Sequence, residues 1–135
     1  ALAALALLVV IGGIGLVWKR KPAGSAHTLV AQGRKLLDRY DVPENLERAK
    51  QLLRDAVAVD GNYAPARAAL AIALLREHGE QPRPELLVEA RRESAKAVAL
   101  DGNLALARVA KGASLVASGQ REEAEKELQE AMRLD

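Results

Sequence analysis

Seven residues are written almost twice in this chain. Ala56-Val-Ala-Val-Asp-Gly-Asn62 returns 41 positions later as Ala97-Val-Ala-Leu-Asp-Gly-Asn103, and a shortened version, Ala131-Met-Arg-Leu-Asp135, follows after a further 34. Self-similarity at a period of 20–50 residues marks a stacked array of supersecondary units, and it constrains the fold more strongly than any local propensity. Such arrays work through extended surfaces and need no catalytic pocket.

Composition sets what the array is made of. Phe and Cys are absent, Tyr occurs twice and Trp once in 135 residues. A core must then be assembled from Leu, Val, Ile and Ala, which suits closely packed helices, and neither disulfides nor thiolate metal sites are available. The formal charge of +2 is local in origin. Lys19, Arg20 and Lys21 precede every acidic residue, and the chain beyond them carries 17 basic against 18 acidic groups. That balance offers no electrostatic footprint for nucleic acid, so no nucleic-acid partner is expected.

Residues 1–18 contain no charged side chain and centre on Leu7-Leu-Val-Val-Ile11. As a helix they would reach about 27 Å, close to the hydrocarbon thickness of a bilayer. Trp18 and Lys19-Arg20-Lys21-Pro22 supply an interfacial aromatic, a charged border and a helix breaker. The expectation is a single-pass transmembrane helix with its basic flank over 1–21, inserted in lipid through residues 1–18. A signal peptide, with small residues at Gly24-Ser25-Ala26 for cleavage, is the rival; its basic residues would lie on the wrong side. Residues 22–26 form a linker. Which side of the membrane the remainder occupies is left open, because only one flank is visible.

From His27 onward apolar residues take helical spacing: Leu29, Val30, Gly33, Leu36 and Leu37, then Leu46, Ala49, Leu53 and Ala56. Pro43 suits the first turn of a helix, Gly61 a left-handed cap, and Asn62 the cap of the helix that follows. Glu77-His-Gly-Glu-Gln-Pro-Arg-Pro84 reads as a turn. Gly112 and Leu115, the turn at Ser118-Gly119, and Ala124, Leu128, Ala131 and Leu134 mark a third hairpin.

This pattern resembles the tetratricopeptide repeat (TPR), a helix–turn–helix unit of 34 residues with small residues where its two helices cross. The likeness covers residues 27–135, with units at about 27–63, 64–104 and 105–135. Gly61 and Gly102 stand where the family usually has Pro, Ser94 replaces a large apolar residue, and Lys111 replaces a Leu. These departures read as loosening of the second unit. The expected fold is therefore all-α: a transmembrane helix followed by a TPR-type α-solenoid of about three hairpins.

Catalytic chemistry is thin. His27 and His78 have no nucleophile or carboxylate at a useful spacing. The run Glu122, Glu123, Glu125, Glu127 and Glu130 reads as a solvated helix face, without the bends that gather carboxylates around calcium. Gly12-Gly-Ile-Gly15 lacks the Lys-Ser or Lys-Thr of a phosphate loop. No enzymatic activity, cofactor or metal is expected of this segment. Arg67 and Arg108 occupy equivalent positions and read as solvated or paired within their repeat, with Arg67 exposed enough that alanine would cost no more than about 0.5 kcal/mol.

The TPR likeness implies a protein–protein interaction module that takes a protein or peptide segment on the concave face lined by the first helix of each hairpin; with the apolar run at 1–18, the expectation is a membrane-anchored module that is part of a larger protein. The positions implied to face that groove are Val30 and Arg34, Ala68 and Ile72, and Val109 and Ala113. The order of membrane segment, linker and repeats also resembles the C-terminal part of bacterial transmembrane serine/threonine protein kinases. That would make the repeats a sensor or docking region. A winged-helix regulator or a plain assembly scaffold are the other contexts, separable by the sequence upstream.

Overall fold

The computed structural model describes residues 24–39 and 41–135. The expected membrane helix lies outside them, as do linker residues 22 and 23. No helix among the described residues is long and apolar enough to cross a membrane. Six helices follow in order: α1 Ala26–Leu37, α2 Pro43–Val59, α3 Ala64–Glu80, α4 Pro84–Leu100, α5 Ala105–Ala117 and α6 Arg121–Leu134.

Local chemistry fixes where these helices begin. Ser25 caps α1 by accepting the amide of Thr28 at 3.2 Å, so Ala26 belongs to the helix and the linker ends one residue early. Pro43, Pro65 and Pro84 sit in the first turns of α2, α3 and α4, where a missing amide hydrogen costs nothing. Gly119, at φ +79°, closes α5 through its amide to Val116 and that of Gln120 to Leu115.

The Asp-Gly-Asn connections work differently from the expectation. Gly61 is not left-handed, and Asn62 does not cap α3. Instead the Asp60 carboxylate accepts the Asn62 amide at 3.0 Å, and Asp101 treats Asn103 identically. These Asx turns end one hairpin and start the next. Glycine is needed for clearance: a Cβ on Gly61 would stand 3.3 Å from the Arg67 guanidinium, and one on Gly102 the same distance from that of Arg108. The stretch expected as a turn over 77–84 is also shorter. α3 continues to Glu80, since Gly79 lies on an exposed stretch where nothing comes within 4 Å of its would-be Cβ. Most of the second repeat's extra length is thus one more turn of helix.

Each helix packs on its hairpin partner and on the start of the next hairpin. The first helices also stack on one another, α1 on α3 and α3 on α5, whereas α2 and α4, and α4 and α6, make no such contact. Backbones that approach closely along one row and stay further apart along the other bend the array, with α1, α3 and α5 on its inner, concave side. The core is made of alanine with a few leucines: Ala49, Ala56, Ala66, Ala71, Ala90, Ala97 and Ala107 are fully buried around Leu29, Leu53 and Leu74.

Within each hairpin, size on one helix is matched by size on the other. A Cβ on Gly33 would meet Leu53 at 2.9 Å, and one on Gly112 would meet Leu128 at 2.7 Å. The corresponding pair in the second repeat is Ala71 and Ser94, both buried. Ser94 therefore does not loosen this repeat; it makes room for Ala71. Its hydroxyl lies 3.1 Å from that of buried Ser114 on α5, and the two also reach the carbonyls of Arg91 and Ala110. With one proton each, they satisfy two of these three contacts at a time. Gly112→Ala should destabilise the array by about 1–2 kcal/mol, overpacking outweighing the gain in helix propensity. Adding Leu128→Ser should recover part of that loss, because it recreates the second repeat's pairing. Chemical denaturation of both variants checks this, and additive losses would refute the size-matching account.

Candidate functional site: the concave groove

The three inner helices enclose a small cavity of about 110 Å³. Arg34 of α1, Ile72 and Arg76 of α3 and Leu106 of α5 line it, with Ala69, Leu37 and Asp38 completing the wall. Every hairpin contributes: Arg34 and Ile72, like Asp38 and Arg76, are 38 positions apart at one register position of α1 and α3, while α5 adds Leu106 from its first turn. Ile72, Leu106, Leu37 and Ala69 supply its apolar wall, and the Arg34 and Arg76 guanidinium groups and the Asp38 carboxylate its polar one. Arg76 donates to the Leu37 carbonyl, capping the C-terminal end of α1 and tying two repeats together at the cavity wall.

The six sequence-derived positions separate into three groups. Arg34 and Ile72 meet in this cavity, Arg34 exposed at its rim and Ile72 half-buried against the core. Val30 and Ala68 are 4 % and 0 % exposed, so they support the groove from beneath and present no surface to a partner. Packing between successive first helices consumes those positions. Val109 is 39 % exposed and Ala113 half-buried, further along the same row and outside the cavity wall. Arg76, Leu106 and Asp38 were missed. A signal existed: Asp38 and Arg76 each lie four residues after Arg34 and Ile72, on the same helix face.

Behind the groove the hairpins are held by ion pairs. Arg67 donates to the Gly61 carbonyl at 2.7 Å and to Glu93 at 2.6 Å, with side chains only 15 % and 7 % exposed. The expectation of an exposed, dispensable Arg67 is therefore wrong; it anchors the turn to the returning helix. Arg108 repeats the arrangement with Gly102 and Glu127, and Lys111 joins the same carboxylate at 2.8 Å. Burial pushes the Glu127 carboxyl up, but hydrogen bonds from Lys111 and Arg108 outweigh it and hold the group below the usual glutamate range. Arg54 on α2 grips Glu89 on α4 with two hydrogen bonds, and this contact lowers the Glu89 carboxyl and raises the Arg54 guanidinium. Lys50 sits between Glu47 at 2.7 Å and Glu77 at 2.5 Å.

No group of three or more His, Asp or Glu side chains among the described residues is arranged to hold a metal. His78 instead closes the turn after α3, accepting the Arg83 amide at 3.1 Å.

No protein-family model matches the chain, and no curated protein does. Among solved structures, it is similar to the second TPR of Spaghetti (RPAP3) bound to HSP90 peptide SRMEEVD. The TM-score is 0.64 at 23 % identity, over 82 % of this chain and 92 % of that one. The fold is TPR-like. At such identity the likeness speaks to architecture alone.

Proposed function

We propose that this chain is a protein-interaction module that takes a segment of another protein along the wall formed by α1, α3 and α5. The observation that carries this reading is the cavity to which all three hairpins contribute, with apolar side chains at Ile72 and Leu106 beside the Arg34 and Arg76 guanidinium groups and the Asp38 carboxylate. The structurally similar TPR holds a peptide, which supports the same use of the fold here. The apolar wall suits an apolar side chain, and Arg34 suits a carboxylate beside it. An array of such peptides, with SRMEEVD included as a probe, should yield binders whose affinity falls at least about tenfold on Arg34→Glu, since like-charge juxtaposition is strongly unfavourable. Arg34 is exposed, so helicity should be unchanged. Binders indifferent to this substitution would place the site elsewhere. Ile72→Asp discriminates poorly, because Ile72 also packs against the core.

The module is tethered to a membrane by residues 1–18 in this reading, supported by their uncharged apolar run and the Trp18-Lys19-Arg20-Lys21 border. The full chain should then stay with membranes washed in alkaline carbonate, and its release would remove the tether from the proposal.

A further inference from the structure

The joint between the second and third hairpins also describes a surface at each end of the array. Across it, Lys111, Ser114 and Leu115 of α5 face Arg91, Ser94 and Ala95 of α4 around a cleft of about 390 Å³, and Ser94 touches Ser114 at 3.1 Å. Moving 79 positions back along the repeats turns the α5 side into Gln32, Lys35 and Leu36 of α1. Those three residues line an open cleft of about 460 Å³ with Arg39, Arg48 and Leu52. No acidic side chain lines it. Ala31, the counterpart of fully buried Ala110, lies exposed on the same helix, small enough to let another helix approach closely.

Moving 34 positions forward turns the α4 side into α6. Val88, Arg91, Ser94 and Ala95 become Glu122, Glu125, Leu128 and Gln129. Beside them Val109, Val116 and Met132 are 39 %, 53 % and 71 % exposed, while the second-repeat counterpart of Val109, Ala68, is fully buried. One end of the described array therefore offers cations around two leucines, and the other offers carboxylates beside apolar side chains. Both have the relief of the joint already used inside the chain.

We propose that copies of this chain associate head to tail, the basic outer face of α1 and α2 in one copy docking on the acidic outer face of α5 and α6 in the next. Superposed on the internal joint, Lys35 of the incoming copy takes the place of Ser114, against Leu128 and one helical turn from Glu125. Lys126, the counterpart of Arg92, lies on the same helix and is the one like charge at that position. A joint of this kind is heterologous, so it extends into chains unless its rotation closes a ring. Its charge pairs make it weaker as salt rises.

The chain has no cysteine, so introduced thiols report contacts without background. Lys35→Cys and Glu125→Cys versions of the 135-residue chain, mixed in mild nonionic detergent and treated with a short thiol crosslinker, should join to each other in preference to their own kind. Sedimentation should show association that Lys35→Glu/Arg39→Glu weakens at least about tenfold, and that adding Glu122→Lys/Glu125→Lys to the same chain restores. All four positions are exposed, and unchanged helicity confirms that the variants fold. Like-with-like crosslinks, monomers throughout, or association untouched by charge reversal would each overturn the proposal. So would Lys35→Glu/Arg39→Glu abolishing binding to anionic vesicles while self-association persists, since lipid would then be the occupant of the basic face.

Discussion

Ala97→Arg should unfold the array. Ala97 is fully buried at the return of α4, as Ala56 is at the equivalent place in α2. A long side chain there overpacks a core assembled from alanine, and it brings a charge into a buried face where Glu93, one turn earlier, is already paired with Arg67. Together these effects should remove about 4 kcal/mol or more, a large fraction of the roughly 5–15 kcal/mol a domain usually holds. The far-ultraviolet circular dichroism melt should lose its cooperative transition, and Ala56→Arg should behave alike. A melting temperature within a few degrees of the parent for either variant would mean that the helix crossings are not where the repeat register puts them.

Arg67→Ala comes next in size. It leaves the Glu93 carboxylate buried with only the 3.5 Å approach of Arg92 to offset it, and Arg92 is itself 58 % exposed. It also frees the Gly61 carbonyl. Breaking one side of a buried pair generally costs about 3–5 kcal/mol, and this pair, not wholly sealed, should fall near the lower bound. Arg67→Leu/Glu93→Leu should regain most of the loss. The first repeat already carries that solution, with Leu29 and Leu52 at the equivalent positions, one in the core and the other packed against it. A double-mutant cycle by denaturant unfolding measures the coupling, and a value near zero would reduce the pair to surface decoration. Arg108→Ala should do less damage, because Glu127 keeps Lys111 and its pair is more exposed.

The sequence displayed the small–large logic of the hairpins openly, because glycine and alanine at helical spacing leave few alternatives to close helix crossings. It concealed the ion pairs. An arginine inside an amphipathic helix reads as solvent-facing until its partner is found, and Glu93 lies 26 residues away on another helix. The clue was periodic: Arg67 and Arg108 recur at one register position, and Glu93 and Glu127 at another. The groove was half legible. All six positions lie on first helices, but which of them face outward depends on how far each helix slides over the next. That slide buries Val30 and Ala68 while leaving Arg34 open. Breakers misled as well, since Gly79 and two nearby prolines suggested a turn where α3 carries on to Glu80.

Contact along the inner row and its absence along the outer one make the array behave as a leaf spring. Curvature can change by fanning α2, α4 and α6, whose backbones do not approach one another as closely as those of the inner row. What restrains α2 against α4 is the Arg54–Glu89 clasp, with the Arg54 side chain 43 % exposed and so within reach of dissolved ions. Stiffness on the convex side is thus set by charge, while the spine along α1, α3 and α5 is set by packed alanine. A load applied at the groove would be felt first as a change of bend.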